Sequence, residues 1–250
     1  MSTWILLRGL TRDSRHWGDF PAALGGALPD ADVVALDLPG NGRLNGMASP
    51  SRVGEMTDYC RAELLARGIR PPYHLLAMSL GAMVVVDWAA KYPAEVNAGV
   101  LINTSVRPFS PFFHRLRPEN YPALLGLALR GGHAPDWEAR ILRLTSNCVD
   151  DPAAILETWI RYRREHPVSR RNVLRQLLAA ARYRAPADRP SPRLLILGSA
   201  GDALVNPRCS RRLALRWRTA YAEHPAAGHD IPLDDRDWVI REVLLWLQTE

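Results

Sequence analysis

Cysteine is scarce in this sequence. Cys60, Cys148 and Cys209 are the only three, and no two stand in a C-x-x-C spacing. That excludes a disulfide framework and a cysteine-based zinc site, and it points to a reducing compartment. Lysine is scarcer still, Lys91 being the sole one among 32 basic residues. No stretch approaches the ~18 uninterrupted apolar residues of a spanning helix, and Met1–Leu10 has neither the basic nor the apolar region of a secretory signal. A cytoplasmic location is therefore expected. Zinc-finger, RNP-like and helix-turn-helix patterns are also missing, so a net charge of +6 alone does not make nucleic acid a partner.

What is present describes a folded chain. With 250 residues, 47% of them hydrophobic and 23% charged, there is enough apolar material for a large core, and one α/β domain with an insertion is the simplest arrangement. Short β-rich runs at Trp4–Leu7, Val33–Leu36, Leu75–Met78, Val100–Ile102 and Leu194–Leu197 are apolar at nearly every position, as in strands buried on both faces of a parallel sheet; Thr219–Glu223 is a weaker sixth. Between them the pattern predicts helices over Trp17–Leu28, Val53–Arg67, Leu80–Lys91, Cys209–Trp217 and Asp235–Leu247. This alternation implies a doubly wound, mostly parallel sheet of about six strands with right-handed crossovers.

The rhythm breaks between Val106 and about Pro190, where four helices are predicted: Tyr121–Arg130, Trp137–Thr145, Pro152–Arg164 and Asn172–Arg184. Asp151 before Pro152 and Ser169 before Asn172 are suitable N-caps. The expected organisation is a core of residues 1–105 and 191–250 with a helical cap, 106–190. The cap enters directly after the fourth strand, at the sheet edge where ligands bind, which favours a lid.

The most informative stretch is Leu75-Leu76-Ala77-Met78-Ser79-Leu80-Gly81-Ala82, an apolar strand running into a helix through a serine with small residues two before and two after. This is G-x-S-x-G with alanine first, a spacing needed where strand and helix backbones approach closely around a sharp turn. An ordinary helix-capping serine would share the local pattern. A nucleophilic serine needs a base, itself oriented by an acid. Asp202 follows the fifth strand in Gly198-Ser199-Ala200-Gly201-Asp202, and His229 follows the last in Ala226-Ala227-Gly228-His229-Asp230, with Asp230 the competing acid. Oxyanion donors would be the backbone N–H of Leu80 at the helix start and of Leu10 in the loop Arg8-Gly9-Leu10-Thr11. Trp17 and Phe20 either wall the cleft or pack the core.

These positions resemble the α/β-hydrolase superfamily over essentially the whole chain, with Ser79, Asp202 and His229 matching nucleophile, acid and base. Asp37-Leu38-Pro39-Gly40-Asn41-Gly42 is similar to the D-x-P-G-x-G turn after the second strand of that superfamily. The likeness is greatest to small cytoplasmic carboxylesterase-type members with a four-helix cap, a group that includes pimeloyl-carrier-protein methyl esterases and menaquinone-pathway enzymes. The sequence departs from that pattern where Arg8-Gly9 replaces His-Gly, where Ala77 replaces glycine, and where Met83 replaces the arginine that holds a carboxylate in the menaquinone-pathway enzymes. Its first strand leads straight into the oxyanion loop, so the family's first two strands are expected to be missing and the six strands to run 2-1-3-4-5-6.

The resemblance implies a serine hydrolase acting on a carboxylic ester or thioester through an acyl-enzyme, with neither cofactor nor metal. Alternatives on the same fold are a lyase, a carbon–carbon bond hydrolase or an acyltransferase; a non-catalytic binding module is a further class. Phe109, Phe112, Phe113, Leu124, Leu125, Leu127, Trp137 and Trp159 are available in the cap to line an apolar cleft, and Trp17, Phe109 and Phe113 are the substrate-contact candidates. Residues 106–190 hold 15 basic and 8 acidic residues against 17 and 18 elsewhere, so the whole cationic excess belongs to the cap. That excess is either a solvated arginine-rich face or an attraction for an anionic or carrier-bound substrate.

Overall fold

The computed structural model describes residues 2–122, 126 and 134–249. Six strands form one sheet: β1 (Ser2–Leu7), β2 (Ala31–Leu36), β3 (Tyr73–Met78), β4 (Val96–Ile102), β5 (Arg193–Ser199) and β6 (Ala220–His224). All neighbours are parallel, and the spatial order is β2-β1-β3-β4-β5-β6, as expected from the sequence. The helices outside the insertion are α1 (Phe20–Ala27), α2 (Val53–Ala66), α3 (Leu80–Lys91), α8 (Arg208–Trp217), α9 (Ile231–Asp234) and α10 (Arg236–Gln248); between β4 and β5 lie α4 (Phe112–Arg115), α5 (Ala134–Thr145), α6 (Pro152–Glu165) and α7 (Arg170–Arg182).

The alternation of the central strands divides the core into two layers. Ile5, Leu7, Leu75, Ala77 and Leu101 face α2, α3 and α8, while Trp4, Leu6, Leu76, Met78 and Val100 face α1 and α10. Each fully buried aliphatic side chain contributes about 1.5–3 kcal/mol, which makes the sheet centre the most strongly held part of the molecule. Helix α3 is buried continuously from Leu80 to Ala89, because it lies beneath both the sheet and the insertion. Strands β2 and β6 occupy the edges and are only partly covered, and the weaker apolar pattern of β6 reflects this.

Local chemistry sets the ends of several elements. The Asp151 carboxylate accepts the Ala154 N–H at 3.0 Å, with Pro152 in the first turn of α6, and Ser169 Oγ accepts the Asn172 N–H at 3.2 Å at the start of α7. The helix predicted over Trp17–Leu28 is instead split. Gly18, at φ 56°, takes a left-handed conformation between a 3₁₀ turn over Ser14–Trp17 and α1. The helix predicted over Tyr121–Arg130 falls largely outside the described residues, as do Leu124, Leu125 and Leu127. Among the described residues no helix is long and apolar enough to cross a membrane.

Candidate active site

Ser79 sits where β3 turns into α3, with φ 53° and ψ −117°. A non-glycine residue in this region is strained, and it persists only where its surroundings over-determine it. Those surroundings are visible. The Ser79 N–H donates to Ile102 O at 2.9 Å, and a Cβ added to Gly81 would lie 2.6 Å from both Leu7 O and Arg8 O. Only glycine lets α3 start so close to the end of β1. Ala77, by contrast, is a fully buried strand residue whose methyl group fits the core.

His229 lies on the loop between β6 and α9, and Asp202 on the loop after β5. They meet: His229 Nδ1 and Asp202 Oδ2 are 2.7 Å apart, and both side chains are buried. The other carboxylate oxygen, Oδ1, accepts the N–H groups of Leu204 and Val205 at 2.8 Å each, so Asp202 is held as an acceptor on both sides. This assigns the Nδ1 proton to the shared bond and leaves Nε2 as the free lone pair. Nε2 is buried and has no hydrogen-bond partner among the described residues. Burial alone would depress the His229 pKa, but the charge and hydrogen bond of Asp202, helped by the charge of Asp230, outweigh it and raise the pKa above its ordinary value. Asn103 Nδ2 donates to His229 O at 2.9 Å, and Asp230 N to Thr145 O at 2.7 Å, which ties the histidine loop to β4 and to the last residue of α5.

Asp230 is not the partner of His229. Its carboxylate is taken by Arg8 in a two-pronged pair, with Nη1 3.0 Å from Oδ1 and Nη2 bonded to Oδ2, both side chains almost wholly buried. Arg8 is the residue before Gly9 and Asp230 the residue after His229, so this pair joins the loop after β1 to the histidine loop. The Arg8 guanidinium also lies 4.8 Å from the centre of the Trp17 ring.

Ser79 and His229 open into one cavity of about 850 Å³, which Leu10 and Leu80 also line. Neither the Leu10 nor the Leu80 N–H donates to another described residue. A Cβ on Gly9 would lie 3.1 Å from Ser79 Cβ, so the Gly9–Leu10 backbone passes directly beside the serine. The remaining wall is mostly apolar and comes largely from the insertion, with Trp137, Ile141, Leu144, Val173 and Leu177 among its residues.

None of the three substrate-contact candidates lines this cavity among its described residues. Trp17 is buried behind Arg8 and stacks on Phe20 at 5.3 Å; Phe109 packs edge-on against Trp217 at 5.9 Å; Phe113 is exposed beside Phe112 and His114. Phe112 and Trp137 of the wider aromatic group do face the cavity, whereas Trp159 covers Arg12 at 4.0 Å and His16.

Polar joints that the sequence does not announce lie beneath the insertion. Buried Gln176 of α7 accepts the Thr11 N–H at 2.9 Å and donates to Asn41 Oδ1 at 2.7 Å and Ser49 Oγ at 2.9 Å. Buried Glu138 of α5 receives Arg12 at 2.5 Å and Arg163 at 3.4 Å. In the Asp37–Gly42 turn, Asp37 accepts the N–H groups of Ser14 at 2.7 Å and Arg43 at 3.1 Å; Gly42, at φ 51°, would place a Cβ 2.3 Å from that carboxylate. The turn motif marks the joint around Asp37 and Asn41, whereas nothing in the sequence marks the one at Glu138.

Comparison with known proteins places the fold in a family. The sequence matches the profile described as the Alpha/beta hydrolase family over residues 4–242. It is 28% identical over 257 residues to the Biotin biosynthesis bifunctional protein BioHC of Teredinibacter turnerae, a match covering 91% of this chain. The chain spans only 41% and 39% of the lengths of two curated relatives it matches. An enol-lactonase from Burkholderia xenovorans LB400 superimposes with a TM-score of 0.78 at 18% identity, over 100% of this chain and 92% of that one. A thermophilic esterase from Thermogutta terrifontis does so with a TM-score of 0.76 at 19% identity, over 100% and 90%. These structural likenesses are likenesses of fold.

Proposed function

Since the chain belongs to the alpha/beta hydrolase family, we propose that it is a serine hydrolase that cleaves a carboxylic ester or thioester through an acyl-enzyme, with Ser79 as nucleophile, His229 as base and Asp202 as its orienting acid. The observation that carries this reading is the His229 imidazole, fixed by Asp202 at 2.7 Å and left with an unpartnered Nε2 in the cavity that also holds Ser79 on its strained turn. Ser79 Oγ attacks the substrate carbonyl carbon while His229 Nε2 takes the hydroxyl proton. The charge that develops on the carbonyl oxygen is met by the Leu10 and Leu80 N–H groups, an arrangement that contributes several kcal/mol. The imidazolium, stabilised by Asp202, passes its proton to the departing alkoxide or thiolate. Water then repeats the sequence in place of the serine, releasing the acid and restoring Ser79. No cofactor enters these steps. In the same reading the helical insertion acts as a lid that sets the size and polarity of the cavity, and the protein works in the cytoplasm.

Ser79→Ala tests the assignment on short p-nitrophenyl esters and on labelling by a fluorophosphonate probe. Hydrolysis is expected to fall by at least about 10³-fold, with labelling lost. Full activity in this variant would refute the mechanism, and turnover of a carbonyl substrate without labelling would point to proton-transfer chemistry on the same fold.

A further inference from the structure

We propose that the substrate carries a second, anionic group, a carboxylate or a phosphate, that is held at the opening of the cavity by Arg107 and Arg184 with Arg115 behind them. This rests on Ser79 being the reacting residue and adds a substrate class to it.

Among the described residues the cavity wall carries five arginines, Arg8, Arg12, Arg107, Arg115 and Arg184, and a single carboxylate, Asp230. Arg8 is paired with Asp230, and Arg12 with Glu138, which Arg163 shares. The other three form no ion pair among the described residues. Arg115 bonds only to backbone, its guanidinium donating to the carbonyl oxygens of Ser105, Ala180 and Ala181. Carbonyl oxygens satisfy N–H groups but leave a full positive charge. Ala180 and Ala181 belong to the last turn of α7, where a cation is favourable, so Arg115 is both a clamp on that helix and a fixed charge beside the cavity.

Arg107 and Arg184 come together by a separate route. They are partners in an isolated parallel bridge, and Ala185 N donates to Arg107 O at 2.7 Å. Bridge partners direct their side chains to the same face, so two guanidinium groups leave the backbone side by side. Both residues are exposed and both line the cavity, which places them at its opening. Burial, and the proximity of Arg107, lower the Arg115 pKa, so like charges press on one another here without a carboxylate to offset them. An anion relieves that repulsion. Guanidinium groups also suit it, since their planar forks bind carboxylate and phosphate with two parallel hydrogen bonds.

Away from these arginines the cavity wall is mostly apolar, with Leu144, Ile141, Val173 and Leu177 among its residues. The complementary molecule is therefore an ester or thioester with an apolar segment between the reacting carbonyl and a charged end. The charged end belongs either to the acyl chain, as in a half-ester of a dicarboxylic acid, or to the leaving group, as in a thioester of a phosphate-bearing thiol arm.

The test uses matched pairs. One is a half-ester with a free distal carboxylate against the same molecule capped as a methyl ester; the other is an acyl thioester of phosphopantetheine against that of pantetheine. The ratio of kcat/KM within each pair is measured for the wild-type protein and for an Arg107→Gln/Arg184→Gln variant, whose exposed positions leave folding intact. The wild type is expected to favour the anionic member of one pair by about tenfold, and the variant to bring that ratio close to one. Which pair responds identifies the side that carries the charge. A wild-type ratio near one in both pairs, or a preference that survives in the variant, overturns the proposal. Calorimetric binding of a dicarboxylate and of phosphopantetheine provides a second readout that does not depend on turnover. Binding by the wild type and its loss in the variant support the anion site even where ester hydrolysis fails, and absence of binding to the wild type overturns it.

Discussion

Removal of the Arg8 charge is the most demanding perturbation of the site that leaves Ser79, His229 and Asp202 untouched. Arg8 and Asp230 lie 222 positions apart, with side chains 2% and 3% exposed, and Arg8 is the sole hydrogen-bond partner of the Asp230 carboxylate among the described residues. Arg8→Met keeps much of the stem against Trp17 but strands a carboxylate in the interior. Breaking a buried pair from one side costs about 3–5 kcal/mol, because the remaining charge has lost its partner but not its burial. At roughly 2–4 °C per kcal/mol for a protein of this size, the melting temperature should fall by roughly 6–20 °C. Replacing both ends, as Arg8→Met with Asp230→Leu, removes the stranded charge and should recover most of the loss, to within about 1–2 kcal/mol of wild type. Urea denaturation of the four proteins closes the cycle. The reasoning is refuted if Arg8→Met costs less than about 1 kcal/mol, or if the double variant is destabilised by the sum of the two single changes. The same series reports on function, since the pair spans from the Leu10 loop to the His229 loop. The double variant is expected to refold with lower activity than wild type even where its stability returns.

Other expectations follow from single contacts. The raised pKa of His229 means that its neutral, proton-accepting form appears only at higher pH, so the acidic limb of kcat/KM should have its midpoint above 6.5, the ordinary histidine value. In Asp202→Asn the main raising influence is gone and burial remains, with Asp230 as the smaller opposing charge; the limb should move to lower pH in the residual activity, which itself drops about 10⁴-fold. Gly81→Ala forces a methyl group to within 2.6 Å of two carbonyl oxygens, and a cost of at least about 1–3 kcal/mol with loss of probe labelling is expected. Ala77→Gly should stay within about 1 kcal/mol of wild type by the same measurement. Gln176→Leu leaves the Thr11 N–H and Asn41 Oδ1 without their partner, and urea denaturation should show a loss of about 2–4 kcal/mol.

Much of this architecture is legible in the sequence because its determinants are local. The apolar runs at Trp4–Leu7 and Leu75–Met78 announce strands buried on both faces, and Asp151-Pro152 and Ser169 announce helix starts, each by chemistry within a few residues. Ser79, Asp202 and His229 are legible because each stands just after a strand, and in a parallel sheet those ends share one edge. The substrate wall is not legible in this way. Trp17, Phe109 and Phe113 are aromatic, which predicts an apolar neighbour but not which one; Arg8, Trp217 and Phe112 are the neighbours the fold supplies. The pairs Arg8–Asp230 and Arg12–Glu138 are invisible for the same reason, since nothing in the sequence marks one arginine as buried and another as solvated. The cationic excess of residues 106–190 could be counted but not placed. Arg163 is spent on Glu138, whereas Arg107, Arg115 and Arg184 face the cavity.

The central claim is that Ser79 becomes acylated while His229, held in place by Asp202, takes its proton. Mass spectrometry of the protein quenched during turnover of a slowly hydrolysed ester tests it directly. The account predicts an adduct of the acyl mass on the peptide containing Ser79, accumulating within one turnover and absent in Ser79→Ala. Hydrolysis that proceeds without that adduct, or an adduct on another residue that forms equally in Ser79→Ala, would contradict it.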